Sequence, residues 1–391
     1  MTDLHPRITR LKTAMAEAGV DALICFKPEN TFFLTGFNPI IYSHPVVVLL
    51  PRDGEPVLLV HALRDDHGRR ESFVSDIRLY GAWSTKVTMG PTWMAALGGI
   101  LAEKKLSAGR IALEYDHMPV ARYRVMEDFL PDARLVDSSA MIDRVRLVKD
   151  PDEIAHARIA ATLAGRGMEA AVSAMAARGN EREVSTASMA AMNRLWCGMP
   201  DVEVADFGTL EGGAQNGLWT WTLYGERMFV NCDNPTLRMP VEGEVGAVFI
   251  WAVANGVHAE IERTVAFGPV PPAQRRAIDT ILGIRAEIEG VLKPGIPLSE
   301  LFHITKKRLS SAGYAANIPG RIGHTIGLGA HEHTSLDART DIILEPGMLF
   351  TLEPNLRVPA QGVATQISDT ILITENGHEY LTRYPGGYLE V

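Results

Sequence analysis

The amino-acid sequence predicts a mixed α/β protein of two domains, and three observations carry that reading. Helix-period and strand-period patterns alternate through the first part of the chain, up to about residue 145. A helix-start signature, Lys149-Asp150-Pro151-Asp152-Glu153, then marks a boundary. After about residue 200 strand-like stretches dominate. The expected domains are therefore residues 1–148 and 149–391.

The N-terminal elements follow from local pattern. Ile8, Leu11, Met15 and Ala18 recur at helical spacing over residues 5–18, and Gly19 follows as a stop. Asp21–Phe26 is a short apolar strand. Pro45–Leu50 and Pro56–His61 are two more, joined through the turn Arg52-Asp53-Gly54. The run from Arg64 to Glu71 mixes both signs of charge and predicts a solvated helix face. Arg110–Tyr115 reads as another strand before a helix.

At the boundary, Asp150 is an N-cap, Pro151 sits at the first helical position, and Glu153 can complete a capping box. The helix that follows carries Ala157, Ala161, Ala164, Met168, Ala171 and Met175 on one face, small enough for close packing on a sheet. Strands are expected at 219–223, 245–253, 257–266, 348–353 and 366–373, and helices near 272–291 and 298–312. Loops around 206–218 and 354–364 are expected to shape specificity.

Composition narrows the function. The chain has 391 residues, 46% of them hydrophobic and 22% charged, as in soluble globular proteins. Its net charge of −9 and the absence of a Lys/Arg block argue against nucleic-acid partners. Three scattered cysteines, Cys25, Cys197 and Cys232, fit neither a disulfide framework nor a cysteine zinc site. No apolar run approaches the ~20 residues of a membrane helix, and the first residues lack a signal-peptide core. A cytoplasmic enzyme that engages no membrane is the expectation.

Chemistry is concentrated in the C-terminal half. His258-Ala-Glu-Ile-Glu-Arg-Thr264 places His258, Glu260 and Glu262 on one face of a strand. Gly323-His324-Thr-Ile-Gly-Leu-Gly-Ala-His331 and Leu352-Glu353-Pro354 add imidazole and carboxylate groups in strand-like, glycine- or proline-flanked segments. Ionised groups in apolar strands cost several kcal/mol each unless paired or working, so a catalytic cleft is expected there. Trp219 and Trp221 share a strand face and are read as a wall for a cationic substrate or as a core aromatic pair.

These motifs, with Gly256, Arg263-Thr264, Gly327 and Glu345-Pro346-Gly347-Met348, resemble the creatinase/prolidase/methionine-aminopeptidase superfamily over essentially the whole chain. The resemblance implies a C-terminal domain of the "pita-bread" fold behind a small N-terminal α/β domain. In metal-dependent members two Asp, one His and two Glu hold a pair of divalent ions. The matching positions here are Phe249, Glu260, His324, Glu353 and Ser368. Phe249 and Ser368 lack the carboxylate oxygens a bridged pair needs, so no metal pair and no other cofactor is expected, although Glu260, His324 and Glu353 could still hold one weak ion.

The Trp219-Thr-Trp221 triplet and Glu262 in its Glu-Arg-Thr context are closer to creatinase, the metal-free branch. By that resemblance Glu262 and Glu353 hold a cationic or amide nitrogen, and His324 contacts the ligand. The creatinase base falls on Cys232, beside Asp233, and its carboxylate-binding Arg on Ser335, which excludes creatine itself. Catalytic residues are therefore expected among Glu262, Glu353, His324, Cys232 and Asp233. Substrate contacts are expected from Glu260, His331, Trp219 and Trp221, with Tyr42 and His44 reaching the site of a neighbouring subunit in a homodimer.

The expected activity is metal-independent hydrolysis of a C–N bond in a small, nitrogenous, possibly cationic molecule. The alternatives are a metal-dependent Xaa-Pro peptidase or lyase on the same fold, and a non-catalytic binding homologue.

Overall fold

The opening helix forms at Pro6–Glu17 (α1) and ends before Gly19, whose φ of 64° is the left-handed geometry that a glycine accepts. The computed structural model describes residues 5–208, 215–230 and 232–391. They fall into two units, one running to Arg146 and including Asp206–Gln215, the other comprising Leu147–Ala205 and Asn216–Val391. Residues 209–214 of the expected specificity loop lie outside the described residues.

In the first unit six strands form one sheet. They are β1 (Ala22–Cys25), β2 (Val47–Pro51), β3 (Val57–His61), β4 (Asp76–Tyr80), β5 (Gly109–Leu113) and β6 (Ala133–Asp137), ordered β4-β3-β2-β1-β5-β6. The predicted β2–β3 hairpin is antiparallel, as is β1–β2, and the other pairs are parallel. Helices α2 (Pro28–Thr35), α3 (Asp65–Glu71), α4 (Trp93–Glu103), α5 (Val120–Phe129) and α6 (Ser139–Leu147) complete the unit. The charged run forms α3, but its face is not wholly solvated: Asp65 is buried and held by Arg69 and Lys86. Glu114, just after β5, is buried with its oxygens bonded to the backbone N–H groups of Phe26 (2.6 Å) and Lys27 (2.9 Å) and to Asn30 Nδ2 (2.7 Å).

The second unit begins with the predicted capping box, in which Asp150 Oδ1 accepts from Glu153 N and Glu153 Oε2 from Asp150 N, both at 3.0 Å. The helix it opens, α7 (Pro151–Ala176), lays its small-residue face on the main sheet, alongside α8 (Glu181–Trp196). That sheet contains β7 (Trp219–Tyr224), β8 (Val245–Ala254), β9 (Val257–Ala266), β10 (Leu349–Leu352) and, after the short pair β11 (Leu356–Val358) and β12 (Val363–Thr365), β13 (Ser368–Thr374). Its order is β10-β13-β9-β8-β7, with β14 (Gly377–Tyr380) beside β13 and β15 (Leu389–Glu390) beside β9. Helices α9 (Pro272–Glu289) and α10 (Leu298–Ser311) share a second core with β10 and β13.

The β8–β9 hairpin fixes the register of everything that follows. Its turn residues, Asn255 (φ 47°) and Gly256 (φ 81°), both occupy the left-handed region, the geometry that joins twisted strands through two residues. Ala254 then pairs with Val257, Trp251 with Glu260, and Phe249 with Glu262. Ile261 and Val265 face α7, so the even-numbered residues of β9 face the other way. No helix among the described residues is long and apolar enough to cross a membrane.

Candidate active site

Glu260 and Glu262 project from the even face of β9 and are 1% and 2% exposed. β13 lies alongside, with Ser368 directly opposite Glu262. Ser368 Oγ donates to Glu260 Oε1 at 2.6 Å, and Gln366 Nε2 donates to Glu262 Oε2 at 2.7 Å. His324 enters from the segment before β10, its backbone N–H bonded to Thr351 Oγ1 (3.1 Å). Gly323 makes that approach possible: a Cβ there would lie 2.0 Å from the Thr351 carbonyl oxygen. Glu353 follows β10.

These side chains converge. His324 Nε2 stands 3.3 Å from Glu260 Oε2 and 3.6 Å from Glu353 Oε1. Neither contact has the alignment of a hydrogen bond, and both Glu260 Oε2 and His324 Nε2 are buried without a hydrogen-bond partner. His324 Nδ1 lies 3.2 Å from the Thr325 carbonyl, which leaves Nε2 for the cluster. Ligand atoms of Glu260, Glu262 and Glu353 lie within 4.8 Å of one another, and so do those of Glu260, His324 and His331.

Electrostatics reflect the crowding. Burial, then the charges of Glu260 and Glu353, push the Glu262 carboxyl well above its ordinary range. Burial and the charge of Glu260 raise Glu353 to about 7. Burial works against charge on Glu260 and His324 too, but each holds the other ionised: Glu260 is lowered and His324 raised.

Beside the cluster lies a cavity of about 470 Å³ lined by Glu353, Gln366, Arg321, Arg357, Asn317 and Asn355, among others. Glu353, with a side chain 16% exposed against 1% for Glu260, reaches this space. Arg357 Nη2 donates to Gln366 Oε1 at 3.0 Å, completing a chain from the cavity wall to Glu262.

The other sequence-predicted residues divide. His331 stacks on His324, ring centres 4.2 Å apart. His258 points to the same face as the glutamates, but its Nδ1 pairs with the Gly327 carbonyl at 2.9 Å, a structural use that its position in sequence does not disclose. Trp219 and Trp221 stand on the cluster side of the sheet, joined by Trp251, which sequence reasoning missed because only the strand register brings it there. The three indoles pack at 4.6–5.1 Å with interplanar angles of 17–36°, turning their faces to one another rather than outward as a cation-binding wall would. This favours the aromatic-core reading.

Cys232 is exposed, and Asp233 is paired with Arg227 at 3.2 Å, an arginine that also holds buried Glu181; neither joins the acid–imidazole cluster. In the first unit, Tyr42 donates to Asn38 Oδ1 (3.2 Å), and His44 stacks on His61 at 4.0 Å.

Phe249 stacks on Trp221 at 5.4 Å and Ser368 is engaged by Glu260, so neither offers the carboxylate that an ion pair of the metal-dependent pattern would need. A pair of ions does not fit these residues. Two overlapping sets of oxygen and nitrogen donors remain, Glu260 with Glu262 and Glu353, and Glu260 with His324 and His331.

Comparison with known proteins agrees with the motifs. Residues 155–375 match metallopeptidase family M24, and residues 7–148 match the creatinase/prolidase N-terminal domain. An uncharacterized peptidase of Staphylococcus aureus is 25% identical over 379 residues, covering 97% of this chain and 99% of the relative. The fold is that of a prolidase from Thermococcus sibiricus (TM-score 0.82, 21% identity, 100% of both chains). It is also that of an Xaa-Pro dipeptidase from Bacillus anthracis (TM-score 0.79, 21% identity, 98% and 99% of the two chains).

Proposed function

The chain belongs to metallopeptidase family M24 and is a hydrolase of the creatinase/aminopeptidase P-like superfamily, and on that premise we propose that it cleaves the amide C–N bond of a short peptide. The observation that carries the reading is the position of Glu353, the carboxylate that links the buried cluster to a small cavity walled by Arg321, Arg357 and two asparagines. A cavity of about 470 Å³ with groups of both signs suits a zwitterionic molecule of dipeptide size.

In this reading Glu353, raised to about 7 by burial and by Glu260, takes a proton from the water that attacks the carbonyl carbon. That proton then passes to the amine nitrogen as the C–N bond breaks. The charge of His324 favours the ionised Glu260 and Glu353 carboxylates beside it, and Ser368 orients Glu260. A bound divalent cation, held by Glu260, His324 and Glu353, would polarise the carbonyl and acidify the water.

Peptidase relatives support this alternative over the metal-independent, creatinase-like hydrolysis that the sequence placed first. Phe249 and Ser368 favour that first reading as the second possibility, with Glu262 and Glu353 gripping an organic cation. Turnover of a panel of dipeptides, Xaa-Pro dipeptides included, set against amidines and cyclic amides, separates the two. Glu353→Gln is expected to lower kcat on the best dipeptide by about 10²–10⁴-fold. Turnover of amidines alone would transfer the assignment to the second reading.

A further inference from the structure

We propose that the cluster is a site for one divalent cation in which a ligand has moved between neighbouring strands: Glu262 on β9 supplies the carboxylate for which Ser368 on β13 has no counterpart. This goes beyond the hydrolytic reading and does not depend on which bond is cleaved.

The first support is register. Ser368 and Glu262 are direct cross-strand partners. Partners in an antiparallel pair have Cβ atoms about 4.5–5.5 Å apart on the same face, so a glutamate at either position reaches the same space. The serine left on β13 donates to Glu260 Oε1 and so turns Glu260 Oε2 toward His324.

The second support is polar accounting. Glu260 Oε2 and His324 Nε2 belong to residues 1% and 0% exposed and have no hydrogen-bond partner. A buried group left in that state costs about 1–3 kcal/mol. Their 3.3 Å separation, and the 3.6 Å from His324 Nε2 to Glu353 Oε1, suit neighbouring donors around one ion rather than a hydrogen bond. At metal–ligand distances of about 2.0–2.2 Å such donors lie roughly 3–4.4 Å apart. The carbonyl of Thr325 beside Nδ1 is the partner that a metal-binding histidine uses to present its other nitrogen.

The third support limits the number. A second ion would need oxygen from the neighbouring position on β8, directly opposite Glu262. Phe249 fills it, packed on Trp221. Hydrocarbon offers no ligand there, and the donor sets Glu260–Glu262–Glu353 and Glu260–His324–His331 share Glu260, which argues for one ion.

The test is metal content, independent of turnover. Full-length protein is stripped with chelator, equilibrated with Mn²⁺, freed of excess metal, and read by elemental analysis and electron paramagnetic resonance. We expect one Mn²⁺ per chain with an uncoupled six-line spectrum. Glu262→Gln, nearly isosteric, is expected to weaken binding about 10–100-fold with an unchanged circular-dichroism spectrum. The double variant Glu262→Ser/Ser368→Glu, which returns the carboxylate to β13, is expected to keep one ion. Adding Phe249→Asp to it is expected to admit a second ion, with a spin-coupled spectrum. Wild-type protein that retains no Mn²⁺, or two ions per chain, would overturn the proposal. So would a Glu262→Gln protein that binds as tightly as wild type, or a double variant that folds but loses the ion.

Discussion

The two faces of β9 bury charge in opposite ways. On the α7 side, Arg263 uses all of its donors: Nε to the Pro385 carbonyl, Nη1 to the carbonyls of Glu262 and Ser368, Nη2 to the Tyr384 carbonyl and Asp369 Oδ1. Asp369 is closed in turn by Arg285 and by Thr382 Oγ1. Across the same strand, Glu260, Glu262 and Glu353 crowd together beside His324, and two atoms lack a hydrogen-bond partner. A network whose valences are filled can hold a fold but has nothing left to offer a ligand. The unfinished one costs stability and is therefore informative about function.

That contrast can be broken most forcefully at Asp369. Replacing it by Ala strands two buried guanidinium groups and should cost about 3–5 kcal/mol in urea unfolding. A loss below about 1 kcal/mol would show that the closed network is not what it seems.

The open face responds to pH instead. Glu353 is raised to about 7 by burial and Glu260, so the folded protein holds its proton where the unfolded chain, titrating near 4.5, has released it. Stability of chelator-treated protein should therefore fall as pH rises from about 4.5 to 7, and Glu262 and His324, both raised in the folded state, carry the fall further. Glu114, raised to about 7 by burial despite its three N–H partners, adds to the same trend from the first unit. Each contributes at most about 3 kcal/mol across the window. Glu353→Gln should flatten part of the slope in melting experiments, and an unchanged slope would refute the assignment.

Smaller still, Glu262→Gln in stripped protein should leave stability within about 1 kcal/mol of wild type or raise it, because the amide is neutral without the proton that Glu262 takes up on folding. Ser368→Ala should cost about 1 kcal/mol by deleting one hydrogen bond.

Much of this was legible in the sequence, and the failures share a cause. Alternation along His258–Thr264 placed Glu260 and Glu262 on one face, and the glycine- and proline-flanked motifs supplied His324 and Glu353. The capping box at Asp150 and Glu153 and the left-handed stop at Gly19 are local devices and were read correctly. What sequence could not show depends on partners far along the chain. His258 is committed to a carbonyl at Gly327, and Trp251 is aligned with Glu260 only by strand register. Arg285 reaches Asp369 from α9. Cys232 and Asp233 rest on the family resemblance, and Asp233 pairs with Arg227.

The Asn255-Gly256 turn carries a consequence out of proportion to its two residues. Because side chains alternate, lengthening or shortening it by one would rotate β9 half a revolution against β8. Arg263 would then swing into the pocket and the glutamates would press against helix α7, reversing the sign of the field that an incoming molecule meets. Pocket polarity is therefore set at a bend containing none of the groups that create it.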